Sequence, residues 1–178
     1  MQPPSIDTHS LVDDPRSPSQ QLEEVVRGPH SDQLRRKFFG ILAALDGAAD
    51  VEPWIRAAHE LRASGIIDDD GLVYFAAMFL ECLTQGDAVS DPDLVRIQDN
   101  IDALDRQHDA NDAEGDVEVD DLPEMQALYA AYDARARVVE TMCLRGLGYD
   151  ALADQIERDY DWFMGASEIG AGKIFDDE

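Results

Sequence analysis

Outside its first nineteen residues the chain repeats apolar side chains every three or four positions, which is the period of an α-helix. A short helix is predicted over Gln20–Arg27, stopped by Gly28–Pro29. Ser31 is placed to cap the next, where Leu34, Phe38, Ile41, Leu42 and Leu45 fall on one face before Gly47. Asp50 opens a third, with Pro53 in its first turn, Trp54, Ala58 and Leu61 on one side, and Gly65 at its end. Asp69 or Asp70 opens a fourth, running to about Leu83. Val73, Tyr74, Phe75, Met78, Phe79, Leu80, Cys82 and Leu83 surround it on all sides, so this helix belongs in the middle of a bundle.

Asp91–Pro92 pairs a cap with a proline at the first helical position. The helix it opens carries a narrow apolar seam of Leu94, Ile97, Ile101 and Leu104. Residues 109–121 break the pattern: seven of them are acidic, Gly115 sits among them, and the stretch reads as a solvated linker. Pro123 begins a long helix with a stripe of Met125, Leu128, Tyr132, Val139, Met142 and Cys143, ending at Gly146 or Gly148. Asp150 caps a last helix to about Met164. No alternating strand pattern exceeds Val117–Val119.

The expected fold is therefore all-α, an irregular bundle of about six helices. It divides into a flexible arm at 1–19, a first helical part at 20–108, the acidic linker at 109–121, two helices at 122–164 packing on the bundle, and an acidic tail at 165–178. The core should hold Phe38, Leu42, Trp54, Phe75, Phe79, Ile97, Ile101, Tyr132, Val139, Ile156 and Phe163.

Charge changes this picture most. The chain of 178 residues has 39 acids against 14 Lys and Arg, a net charge of −25, and its only lysines are Lys37 and Lys173. So negative a surface repels phosphates and anionic lipid, which disfavours direct binding to nucleic acid or a membrane, and neither is expected as a partner. Two explanations stand: a salt-adapted or high-GC host whose proteins are all acidic, or a surface that recruits a basic partner. The N-terminus has prolines and aspartates where a signal peptide needs positive charge and then an apolar run, so a cytoplasmic protein is expected. In such a reducing compartment Cys82 and Cys143, both within apolar patterns, read as buried small hydrophobes.

One acidic feature is ordered. Asp150, Asp154, Glu157 and Asp161 are spaced four, three and four and share a helix face, opposite Leu152, Ile156, Tyr160 and Phe163. Like charges so spaced oppose one another unless a cation compensates. This stripe is the candidate partner-binding site, against the plainer reading of a solvent face in a very acidic protein. A lone helix cannot surround a cation, so no metal is assigned there.

Motifs for catalysis fail at named residues. His59–Glu60 and His108–Asp109 suggest a metal-dependent hydrolase, but His108 stands where its helix runs into the linker, and Asp105 and His108 are the nearest approach to a di-iron pair. Asp68–Asp69–Asp70–Gly71 resembles part of a calcium loop, with Ile66 and Ala77 at ligand positions. Gly170–Ala171–Gly172–Lys173 lacks the leading glycine of a phosphate loop, has Ile174 for its Ser/Thr, and follows no strand. Arg35, Arg36 and Lys37 point in different directions around a helix.

The expected function is a non-enzymatic acidic helical protein that binds and regulates or neutralises a basic protein, as an inhibitor, immunity, antitoxin-like or adaptor protein, with nucleic-acid mimicry as one route. No cofactor or metal is expected. The alternatives are a carboxylate/histidine metal-dependent hydrolase and a structural subunit that pairs with copies of itself through a helix face.

Overall fold

The helix that is apolar all round does lie at the centre. In the computed structural model, which describes residues 14–29, 32–86, 89–111 and 117–175, the described residues form eight α-helices and no strand. These are α1 (Pro18–Arg27), α2 (Asp32–Ala44), α3 (Ala48–Ala63), α4 (Asp69–Thr84), α5 (Pro92–Asn111), α6 (Pro123–Gly146), α7 (Asp150–Arg158) and α8 (Tyr160–Phe175), with a single 3-10 turn at Val119–Asp121. α4 packs most extensively on α8, then on α3, and also on α6 and α2. Phe38 of α2 meets Phe75 and Phe79 of α4 edge-on, with ring centroids 5.4 and 5.9 Å apart. Phe175 of α8 closes the cluster, 5.8 Å from Phe38 and from Tyr74. Offset and edge-on rings at these separations attract one another beyond their burial.

α5 and α6 form a hairpin beside this body. Asp91 fastens its open end, accepting from the Leu94 amide at 3.0 Å as a cap and from Arg135 of α6 at 3.0 and 2.6 Å. Leu94 and Ile101 are buried, Ile97 and Leu104 half-buried, so the α5 seam is largely used within the chain.

Several sequence expectations need correction. About six helices becomes eight, because the short α1 is a full element and the last predicted helix is two. α1 opens at Pro18 through a reciprocal Ser17–Gln20 capping box, so the arm does not extend to residue 19; Arg16 also bonds Asp14 and Glu24. Residues 1–13, and the cap assigned to Ser31, lie outside the described residues. α3 begins at Ala48, ahead of Asp50, because Gly47 supplies a left-handed entry with φ 86°; Asp50 instead accepts from the Asp46 amide at 3.0 Å. The region called an acidic tail continues α8 to Phe175, buried through Ala166, Gly170 and Ile174. Of the acidic linker, 109–111 end α5, 112–116 lie outside the described residues, and 119–121 form the 3-10 turn.

Phe38, Phe75, Phe79, Ile101, Ile156 and Phe163 are buried as expected, and Leu42, Trp54, Ile97, Tyr132 and Val139 are half-buried. Met142, placed on the apolar stripe of α6, is 63% exposed. Among the described residues, no helix is long and apolar enough to cross a membrane.

Candidate functional site

The four acids of the predicted stripe do not form one rail. Asp150, Asp154 and Glu157 are exposed along α7, while Leu152 and Ile156 are buried on its other side. Asp161 belongs to α8. Between them Asp159 leaves helical geometry and accepts from the Trp162 amide at 2.9 Å, which ends α7 and caps α8. The stripe also carries its own counter-charge. Arg145, in the last turn of α6, places its guanidinium 2.8 Å from Asp154, 2.9 Å from Glu157 and 3.7 Å from Asp150. Asp161 takes no part in these pairs. Arg145 is held more firmly protonated by its hydrogen bonds to Asp154 and then Glu157. The compensating cation was thus five residues before the stripe, across the Gly146–Tyr149 turn, and spacing within one helix could not reveal it.

A second ordered row lies on α5. Asp99, Asp102, Asp105 and Asp109 are all exposed and spaced three, three and four, within about a third of the helix circumference. Among the described residues none of the four pairs with Lys, Arg or His; Asp102 accepts only from Gln98, at 2.8 Å. Asp120, beside the far end of α5, accepts from the Tyr129 hydroxyl at 2.6 Å and adds to the same end of the hairpin. The signal for this row is present in the sequence as the three, three, four spacing of its aspartates, on the same helix as the apolar seam.

The residues of the rejected motifs have structural employment. His59 stacks on Tyr149 with ring centroids 3.5 Å apart, and its buried Nε2 has no hydrogen-bond partner. Burial pushes its pKa down, so the ring is neutral. His108 sits in the last turn of α5. No group of three or more His, Cys, Asp or Glu among the described residues could hold a metal ion. Asp68 caps α4 through the Gly71 amide at 3.0 Å, and Lys173 bonds Asp68 and Asp70 at 2.6 and 2.7 Å. Those bonds push Lys173 up to about 12, so the lysine of the failed phosphate loop is an internal clamp. Lys37 bonds Glu24 at 2.5 Å, and Arg35 lies over the Phe175 ring, so the basic triplet is divided. The Cys82 and Cys143 thiols are free and half-buried; burial pushes Cys143 up to about 11, which leaves almost no thiolate near neutrality.

One buried acid carried no sequence signal. Glu140 of α6 is only 8% exposed, and its Oε2 has no hydrogen-bond partner. The loss of hydration pushes its pKa up to about 7, with the nearby Glu81 carboxylate acting in the same direction. Compared with protein family models, curated proteins and solved structures, the chain matches none.

Proposed function

We propose that this chain is a non-enzymatic, cytoplasmic acidic protein that binds a basic partner protein and regulates or neutralises it. The observation that carries this reading is the contrast between the two acidic rows. Arg145 already ties three acids of the α7 stripe, whereas Asp99, Asp102, Asp105 and Asp109 on α5 meet no cation among the described residues. A row of unpaired carboxylates on a rigid helix steers and orients a basic surface at little reorganisation cost. The α5 row is the primary contact in this proposal. Asp150, Asp154, Glu157 and Asp161 form a secondary one.

The test uses a labelled arginine- and lysine-rich helical peptide titrated by fluorescence anisotropy at low salt. Asp99→Asn, Asp102→Asn, Asp105→Asn and Asp109→Asn together should weaken binding at least tenfold. Asp32→Asn, Asp46→Asn, Glu124→Gln and Glu168→Gln together remove as much charge from scattered exposed sites, and should weaken it less than threefold. Equal losses in the two variants would reduce the acidity to a bulk property and defeat the proposal. Competition by duplex DNA for the same basic partner would mark the partner as a nucleic-acid-binding protein.

A further inference from the structure

Glu140 has a placement that no stabilising role explains. It projects from α6 into the junction with α4 and α8, where nine-tenths of it is shielded from water and one carboxyl oxygen is left unbonded. The groups facing it are predominantly negative or neutral. α4 contributes the Glu81 carboxylate and the Thr84 hydroxyl; α6 itself contributes Asp133 and Arg137; α8 contributes the Tyr160 phenol. Arg137 is a cation within electrostatic reach and acts in the opposite direction, yet its guanidinium lies over the Tyr160 ring, 4.0 Å from the centroid, and among the described residues it makes no ion pair with Glu140. A buried carboxylate without a cation is costly, whereas a buried carboxylic acid is tolerated.

We propose that Glu140 is a proton-operated latch between α6 and the body of the bundle: with its proton the carboxyl lets α6 lie against α4 and α8, and without it the charge draws water into the junction and loosens this end of α6. Because α6 is one strut of the α5–α6 hairpin, the latch governs how firmly the hairpin is held. The latch is a property of the isolated chain and stands or falls independently of the partner proposed above.

The direction follows from linkage. The docked state holds the proton up to about pH 7, whereas an exposed glutamate releases it near 4.5, so docking weakens as pH rises through that window and levels off above it. With those two values the opening equilibrium should rise roughly thirtyfold between pH 5.5 and 8.5.

The experiment follows amide hydrogen exchange across residues 137–146 in the full chain, corrected for intrinsic rates, together with the carbon-13 titration of the Glu140 carboxyl. The wild type should show the thirtyfold rise and a carboxyl midpoint near neutrality. Glu140→Gln should exchange at one low rate at every pH. Glu81→Gln, which removes the neighbouring charge, should move the carboxyl midpoint to lower pH and so gives a second test if the first variant folds poorly. A carboxyl midpoint near 4.5, or a pH-dependent exchange that survives in Glu140→Gln, would overturn the proposal.

Discussion

Gly170 lies where α8 crosses α4, and adding one methyl group there tests the packing on which the whole bundle depends. A Cβ built on Gly170 would overlap the Asp70 carbonyl oxygen, and would stand 2.7 Å from its carbon and 2.8 Å from the Tyr74 Cβ. Carbon atoms in favourable contact sit about 3.5–4.0 Å apart, so the two helices would have to separate by about 1 Å along their most extensive contact. Two of those three atoms belong to the α4 backbone and cannot swing aside. Overpacking of a core costs about 1–3 kcal/mol, and this site belongs at the upper end. Alanine returns up to about 1 kcal/mol of helix propensity, which leaves a net loss of about 2 kcal/mol. For a chain of this size that lowers the thermal midpoint by about 4–8 °C. Gly165, in the same helix, has nothing within 4 Å of its would-be Cβ. Gly165→Ala should therefore raise the midpoint by about 1–4 °C. The assay is urea and thermal unfolding followed by circular dichroism. If Gly170→Ala proved as stable as the wild type, the close crossing of α8 and α4 would be wrong.

Three further perturbations separate the local arguments. Asp91→Ala removes both the α5 cap and the Arg135 clamp and should cost about 1–3 kcal/mol in urea unfolding. The hydrogen bonds from Arg135 hold Asp91 down at about 2, so its contribution is present above pH 3.8 and is lost as pH falls towards 2; the variant should lack that part of the acid limb. Arg145→Met leaves Asp150, Asp154 and Glu157 uncompensated: stability should change little, because the pairs are exposed and screened by solvent, while affinity for a basic peptide at low salt should rise a few-fold. An unchanged affinity would remove the α7 stripe from the contact surface. His59→Phe keeps the stack on Tyr149 and deletes the unpartnered buried nitrogen, so unfolding should show equal or greater stability, by up to about 1 kcal/mol. A large loss of stability would contradict this reading of the unpartnered nitrogen.

The helical class and the central place of α4 were legible because a helix with apolar residues on every side has no stable position but the interior. α6 was legible because Pro123 and the Gly146–Gly148 pair mark its ends. The division between α7 and α8 was not, since Asp159 looks like one more surface acid until its carboxylate is seen to cap the Trp162 amide. The part of α8 beyond Met164 was misread as a tail. Its small residues are the adaptation to a close helix crossing, and small residues in an acidic context resemble a linker. The candidate site was legible only in part: residue spacing shows where acids share a face, but Arg145 reaches the stripe from another helix. Glu140 was invisible for a related reason, because a glutamate among alternating helix positions declares nothing about its burial.

Recognition of a basic partner by the α5 row, rather than by net charge, has its own salt dependence. The most direct measurement is the dissociation constant for a basic helical peptide between about 0.05 and 1 M salt, where the screening length falls from above 10 Å to about 3 Å. It should be made on the wild type and on the variant neutralised at Asp99, Asp102, Asp105 and Asp109. The wild type should bind at least tenfold more tightly at low salt, and the two curves should meet at high salt. Parallel curves, with the variant no weaker than one neutralised at scattered acids, would contradict it.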